Sequence, residues 1–199
     1  MQSLRRLASS ALRLVYMNKV IVITGTPGSG KTTIAKLLCK RIRGSRLIQV
    51  NQYIFEKKLF SSYDADGVRI VRMKKLAHLL NKEVLRSGGS VIIEGHVLCD
   101  MKIKDATVIV IREHLSRIKS RLVKRGYSVG KIRDNIVSEA IDYCGEHARR
   151  NYANVYEVLN GREVVERVLS LLKGGIQPVE IELLEELKRI VKDDAGYVI

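Results

Sequence analysis

A glycine-rich segment that ends in lysine and threonine is the strongest chemical signal in the 199-residue sequence. Its spacing is glycine, four residues, glycine, lysine, threonine; a β-branched run precedes it and a stretch with helical spacing follows. In that context, the loop N–H groups and the positive end of the helix dipole bind phosphate oxygens. The lysine can bridge the β- and γ-phosphates, and the threonine hydroxyl can ligate Mg²⁺. The sequence therefore predicts that ATP with Mg²⁺ binds at Gly25, Gly28, Ser29, Gly30, Lys31, Thr32 and Thr33.

An acid and a histidine follow the third predicted strand, at Glu94 and His96. A carboxylate at that strand end, beside the strand that leads into the phosphate loop, can hold Mg²⁺ through water or orient an attacking water. The histidine can polarise a phosphate or position a water, although a structural histidine that closes the turn is the more common case. We therefore treat both residues as candidate catalytic residues, and Glu94 with Thr32 as the candidate metal ligands.

Two arginines, Arg121 and Arg125, are spaced to share one face of a helix, and Arg117 extends that stripe by one turn. One guanidinium can stack on adenine while the other binds a phosphate. A solvated basic helix face is an equally good interpretation of this spacing.

The hydrophobic pattern alternates strands with helices, which predicts an α/β fold with a parallel sheet covered by helices on both faces. The predicted strands are 19–24, 47–50, 91–93, 107–111 and 155–159. The predicted helices are 32–43, 51–63, 70–86, 113–125, one that starts at Ser128, and 163–172.

The two ends of the chain have a different composition from the middle. Residues 1–16 contain arginine and serine but no acid, which resembles a transit peptide. We favour a leader extension that is disordered or that lies upstream of a true start at Met17. Residues 174–199 begin with a glycine pair and contain an amphipathic helix at 178–192, which packs on the core or contacts a partner.

The composition indicates which classes of partner and which cellular compartment to expect. The 36 Lys and Arg against 21 Asp and Glu give a formal net charge of +15, which favours nucleotides, RNA or an acidic protein face, or is simply a basic surface. No apolar run is long enough to cross a bilayer, so we expect no membrane partner. The three widely spaced cysteines have no metal-ligand spacing, which predicts a reduced, cytoplasmic protein.

Three motifs together resemble those of adenylate kinases, in particular the atypical archaeal and eukaryotic nuclear branch. The first is Gly-Thr-Pro-Gly-Ser-Gly-Lys-Thr-Thr at 25–33, and the second is Glu94-x-His96. The third is Arg-Leu-Val-Lys-Arg-Gly-Tyr-Ser at 121–128, followed by Lys131-Ile132 and Asp134-Asn135-Ile136-x-x-Glu139. The first motif is generic to P-loop proteins, whereas the third is specific to this branch. The resemblance extends from about residue 18 to 173.

The resemblance implies a P-loop nucleoside monophosphate kinase fold with a five-stranded parallel sheet in a domain at 17–173. It implies a monophosphate-binding arm near 51–70 and a short lid from about 124. The implied reaction is ATP + AMP to two ADP, alongside slow ATP hydrolysis. The branch also implies a role in maturing small-subunit ribosomal RNA with a platform ribosomal protein. In this pattern Arg121 stacks on adenine, Arg125 reaches phosphate, and Glu94 and His96 form the magnesium and hydrolysis pair.

The sequence departs from the family pattern on the side of the phosphate acceptor. Segment 51–56 lacks the arginine that ordinary adenylate kinases use to hold AMP, and 96–98 replaces their Phe-Pro-Arg. Glu94 stands where nuclear members have Asp. The candidate substitutes for the missing arginines are Lys57, Lys58, Arg69 and Arg72. A kinase for another nucleotide or small substrate, and a nucleotide-switched assembly factor without significant kinase activity, therefore stay open as alternatives.

Overall fold

The computed structural model describes residues 19–63, 69–175, 181 and 183–193. The predicted leader at 1–16, part of the predicted arm at 64–68 and part of the C-terminal segment lie outside the described residues. In the described ranges, no helix is long and apolar enough to span a bilayer.

The strands are β1 (Val20–Thr24), β2 (Arg46–Gln49), β3 (Phe60–Tyr63), β4 (Arg69–Val71), β5 (Val91–Glu94), β6 (Ala106–Arg112) and β7 (Asn154–Leu159). The helices are α1 (Lys31–Arg41), α2 (Val50–Glu56), α3 (Met73–Leu85), α4 (Leu115–Lys124), α5 (Val129–Ala140), α6 (Tyr143–Asn151), α7 (Val164–Leu172) and α8 (Leu184–Asp193). A 3₁₀ helix covers His96–Asp100.

Five of these strands form one parallel sheet in the order β2-β5-β1-β6-β7. All five residues of β1 are buried, because helices cover both faces of the sheet and a two-sided strand must be apolar throughout. Ile21 and Ile23 pack against α1 and α7, whereas Val20 and Val22 pack in the cluster that includes α3 and α6. The α/β fold with a five-stranded parallel sheet is therefore confirmed.

The segment predicted as one helix over 51–63 contains a helix and a strand. The helix ends at Glu56, and Lys58 takes a positive φ of 50°, which the helical conformation does not permit. The chain then forms an antiparallel hairpin in which Phe60 pairs with Val71. The prediction was therefore wrong for 60–63, and the next helix begins at Met73 rather than at residue 70.

The segment that follows α4 forms two helices, where the sequence predicted one helix that starts at Ser128. Ser128 caps α5 as the sequence predicted, since its side chain accepts a hydrogen bond from the Lys131 N–H. Asp142, with a φ of 54°, interrupts the helical run and caps α6 by accepting from the Gly145 N–H.

The C-terminal helix α8 packs on the described domain. Leu183, just before it, is buried in a cluster that joins α4 and α5, and Leu187 and Ile190 pack against the same cluster. Glu186 accepts a hydrogen bond from the Ser116 N–H at 3.1 Å, at the first turn of α4. The helix thus covers the outer side of the two helices that carry the third sequence motif.

Candidate active site

The phosphate loop, residues 25–32, lies between the end of β1 and the start of α1, where the sequence places it. Gly25 has a φ of 133°, and a Cβ there would collide with the Ile111 carbonyl oxygen on the neighbouring strand. Gly30 has a φ of 98°, and a Cβ there would lie 2.5 Å from the Asn160 side-chain amide. Glycine is needed at both positions because the backbone is left-handed and closely packed.

The lysine of the motif is held inside the loop. Lys31 is buried, and its Nζ donates a hydrogen bond to the Thr26 carbonyl oxygen at 2.8 Å. Burial lowers the pKa of Lys31, while the nearby Glu94 carboxylate acts in the opposite direction. A phosphate oxygen would offer this ammonium a stronger, charge-assisted acceptor than the loop carbonyl.

A cleft of about 450 Å³ opens over this loop and collects residues from six elements. Its floor includes the loop, the end of β5 and the 3₁₀ helix, and its opposite side comes from the helices that follow Arg125. The residues beyond the loop that line it are Thr33, Asn51, Glu94, His96, Cys99, Asp100, Arg125, Tyr127, Lys131, Asn135, Ser138, Tyr143 and Cys144.

Glu94 and His96 both face this cleft. The Glu94 carboxylate is largely buried, and it takes part in no salt bridge within the described part of the chain. The backbone of His96 is fixed because its carbonyl oxygen accepts from Thr24 Oγ1 at 3.2 Å. Desolvation in the cleft lowers the pKa of His96 to about 4; the charge of Lys31 acts in the same direction and Asp100 opposes it, so the imidazole is neutral at physiological pH.

The residues present fit a magnesium-bound nucleotide. Mg²⁺ in such sites takes one or two protein oxygens, and the phosphates and water supply its other ligands. The Thr32 hydroxyl and the Glu94 carboxylate line the same cleft. The Thr26 and Ser29 hydroxyls are both buried without a hydrogen-bond partner among the described residues, and of the two only Thr26 lines the cleft. The Thr26 hydroxyl is therefore in the state expected of a group that a phosphate oxygen would satisfy.

The two motif arginines occupy different surroundings. Arg125 lines the cleft. Arg121 Nη1 instead donates to the Gly28 carbonyl oxygen at 2.7 Å and pairs with Glu113 Oε2 at 2.8 Å, so its guanidinium is fixed against the outside of the phosphate loop. The structure therefore brings both arginines to the loop but places only Arg125 on the cleft side.

Two residues that the sequence did not indicate, Asn160 and Glu113, complete the contact between Arg121 and the phosphate loop. Asn160, directly after β7, donates to the Ser29 carbonyl oxygen at 2.8 Å and to Glu113 Oε2 at 3.0 Å. Glu113 is fully buried and receives Arg121 and Asn160 on the same oxygen. No signal in the sequence marks either residue, because their partners come from elements far away in the chain.

Glu139 of the third motif lies outside the cleft lining, in a buried ion network. Its Oε1 accepts from Arg112 Nε at 3.0 Å and from the Glu113 N–H at 2.9 Å. Arg112 is almost fully buried and also binds Glu157 Oε2 at 2.7 Å and Asp142 Oδ1 at 2.8 Å. This network joins the end of α5 to β6 and β7. Glu113 connects it to Arg121 and Asn160, which contact the phosphate loop.

Three of the four candidate substitutes for the missing acceptor arginines do not line the cleft. Lys57, Lys58 and Arg72 are absent from the residues that line it, and Lys57 lines a separate groove of about 340 Å³ along β2 and α2. The side chain of Arg69 lies outside the described part of the structure. From the predicted arm, the cleft receives Asn51.

Solved structures with similar folds include two shikimate kinases. Shikimate kinase from Acinetobacter baumannii, in complex with shikimate, superposes with a TM-score of 0.55 over 83% of this chain and 97% of that chain, at 14% identity. Shikimate kinase from Aquifex aeolicus gives a TM-score of 0.52 over 78% and 96%, at 18% identity. At these identities the likeness concerns the fold.

Sequence comparisons are more specific. A family model described as an AAA domain matches residues 21–142. Proteins named "Putative adenylate kinase" from Pyrococcus abyssi and Methanocaldococcus jannaschii are 35% and 33% identical to this chain. These matches span 162 and 158 residues, which cover 79% of this chain in both cases and 86% and 85% of those proteins. The chain therefore belongs to the adenylate kinase-like family of P-loop proteins.

Proposed function

We propose that this protein is an adenylate kinase that transfers the γ-phosphoryl group of ATP to AMP and forms two ADP. The observation that carries the proposal is the single cleft in which the phosphate loop, Glu94, His96 and Arg125 meet. Beyond the loop, Asn135 and Lys131 of α5 also line the cleft, and we assign the second phosphate-bearing molecule to that side. The names of the archaeal relatives agree with this reaction.

Each cleft residue has a role in the proposed transfer. Lys31 neutralises negative charge that grows between the β- and γ-phosphates, and the loop N–H groups hold the phosphates in place. Magnesium, when bound at Thr32 and Glu94, would supply further positive charge to the same phosphates. Arg125 contacts phosphate from the opposite side of the cleft. Arg121 holds the loop through Gly28, and its side chain is 37% exposed, so its planar face is the proposed platform for adenine.

We assign the acceptor phosphate to the α5 side of the cleft. Lys131 lines the cleft there, whereas Lys57, Lys58 and Arg72 do not. An ammonium is a weaker recognition element for a phosphate than a bidentate arginine. AMP binding is therefore expected to be weaker than in enzymes that use two arginines.

Slow ATP hydrolysis is the second proposed activity. A neutral His96 at the cleft can accept a hydrogen bond from a water and orient it toward the γ-phosphate, as a glutamine does in small GTPases. A water would occupy this position when no acceptor is bound.

A panel of acceptors tests the proposed reaction. ADP formation from ATP would be measured with AMP, GMP, CMP, UMP and shikimate, each compared with ATP alone. Stimulation by AMP above the other acceptors supports the proposal. Stimulation by a different acceptor would show instead a kinase for another substrate, and no stimulation would favour a nucleotide-switched assembly factor.

We further propose that the protein acts in the cytoplasm as an ATP-dependent factor in small-subunit ribosomal RNA maturation, in contact with a platform ribosomal protein. The net charge of +15 and the resemblance of the third motif support this role. Affinity for the ribosomal protein and for ribosomal RNA would be measured with ATP, with ADP and without nucleotide. An affinity that does not change with the nucleotide would contradict an ATP-driven role.

A further inference from the structure

Two cysteines that are far apart in sequence meet at the edge of the cleft. Cys99 belongs to the 3₁₀ helix after β5, and Cys144 to the first turn of α6. Their Sγ atoms are 3.7 Å apart, and both are free thiols. The third cysteine, Cys39, lies on α1, and its Sγ contacts the Ser45 carbonyl oxygen at 3.5 Å.

The surroundings of Cys144 favour its thiolate. It is in the first turn of a nine-residue helix, where backbone N–H groups and the helix dipole stabilise negative charge. The thiol of Cys99, directed at Cys144, lowers the pKa of Cys144, burial opposes this, and the charge of Lys31 lowers the pKa further. Cys144 is only 7% exposed and lines the cleft, so the cleft is the route by which a small reagent would reach it.

We propose that Cys99 and Cys144 form a redox modification site in the nucleotide cleft, and that its oxidant is a small hydroperoxide such as hydrogen peroxide. This site is independent of which acceptor the enzyme phosphorylates. Its control by nucleotide rests on the proposed binding of ATP in the same cleft.

The chemistry takes two balanced steps. The Cys144 thiolate attacks one peroxide oxygen; an S–O bond forms, the O–O bond breaks, and the departing hydroxide takes up a proton to become water. The sulfur of Cys99 then attacks the Cys144 sulfenic acid; an S–S bond forms, the S–O bond breaks, and the hydroxide leaves with the Cys99 proton as a second water. Two thiols and one peroxide thus give one disulfide and two waters.

The disulfide would disturb the active site through His96. A disulfide has an S–S distance of about 2.05 Å, so the sulfurs must come closer by roughly 1.7 Å than they are in the thiol form. Cys99 is in the same short helix as His96, and its Sγ contacts the His96 carbonyl oxygen at 3.1 Å. Thr24, one residue before the phosphate loop, donates to that same oxygen. Oxidation therefore pulls on the segment that positions His96 and lowers ATP affinity.

Peptide mass mapping of the full-length protein after peroxide treatment tests the proposal. We expect a Cys99–Cys144 cross-link in the wild type and equally in Cys39→Ser, which is the matched control. Cys99→Ser and Cys144→Ser should lack the cross-link. Oxidation at Cys39 alone, or oxidation of Cys144 to the sulfinic acid without a disulfide, would overturn the proposal.

Two further measurements complete the test: protection of the thiols by nucleotide, and recovery of nucleotide binding after reduction. Because a reagent must enter the cleft to reach the thiolate, saturating Mg·ATP should slow cross-linking about tenfold or more. Fluorescent ATP-analogue binding should weaken on oxidation and return after dithiothreitol. A cross-link that forms equally fast with analogue bound, or that leaves analogue affinity unchanged, contradicts a site in the nucleotide cleft. If the reduced protein fails to bind the analogue, the proposed function fails, while cross-linking without nucleotide still reports on the thiol pair.

Discussion

Lys31 donates a hydrogen bond to an acceptor within its own loop, the Thr26 carbonyl oxygen, and this contact holds the buried ammonium inside the loop beside the cleft. The spacing of the phosphate-loop residues predicted a loop that carries Lys31 and opens a helix, because these residues are neighbours in the chain. The hydrogen bond from Lys31 to Thr26 itself was not predicted. The partners of Arg121 are different, because Glu113 and Asn160 come from the ends of two other strands. Spacing along one helix reports which residues share a face, but it carries no information about the groups that face them.

Lys31→Ala should abolish both phosphoryl transfer and hydrolysis while the protein stays folded. The loss of a charge that stabilises the transition state costs about 10²–10³ in rate. The matched control is Lys36→Ala, an exposed lysine on the same helix, which should retain activity. Near-normal turnover in Lys31→Ala at an unchanged melting temperature would refute the assignment of the phosphate loop.

His96→Ala should reduce ATP hydrolysis more than transfer to AMP. In hydrolysis a side chain must orient the water, whereas bound AMP brings a nucleophile that the two nucleotide sites position. Since the pKa of His96 is lowered to about 4, the effect should persist well below the ordinary histidine pKa of 6.5. Both rates and the melting temperature would be measured; equal losses, or losses explained by unfolding, would remove His96 from the mechanism.

At the scale of elements, the five sheet strands were predicted because strands buried on both faces are short β-branched runs. The β3–β4 hairpin was missed because Phe60–Tyr63 is short and has serines at its centre, and because helical spacing continues across it. The break between α5 and α6 was missed for a related reason. Asp142 adopts a left-handed conformation while it is held by Arg112 and Arg149, and those contacts are tertiary.

Glu113→Gln should raise the KM for ATP, because the buried carboxylate holds Arg121 and Asn160 against the phosphate loop. An amide cannot accept both hydrogen bonds with full charge, and a weakened buried network costs about 1–3 kcal/mol of stability. Arg117→Gln is the control, since that half-exposed arginine approaches Glu113 only at 3.5 Å. Steady-state kinetics would contradict this role if KM stayed unchanged in Glu113→Gln.

Leu183→Ala should destabilise the fold by about 2–3 kcal/mol, since the lost side chain leaves a cavity between α8 and the cluster of α4 and α5. The neighbouring Leu184→Ala provides a matched control: that leucine is 49% exposed, and its removal should change stability by less than about 0.5 kcal/mol. Chemical denaturation of both variants gives the two values. Equal effects would mean that α8 does not pack as described.

At the scale of the whole molecule, the chain combines a large positive net charge with one cleft over the phosphate loop. The net charge of +15 was evident from composition, but composition does not select a polyanion, since nucleotides, RNA and acidic proteins all satisfy it. The missing acceptor arginines were also evident, whereas the placement of Lys131 in the cleft required the fold. The identity of the phosphate acceptor is therefore the property to measure.

The most direct measurement is coupled ADP production with and without AMP, on the wild type and on Lys31→Ala. We predict that AMP accelerates ADP formation and that two ADP appear for each AMP consumed. Lys31→Ala should show neither the AMP-stimulated rate nor the slow rate measured without AMP. ADP formation that AMP does not change, or that survives in Lys31→Ala, would contradict the proposed adenylate kinase.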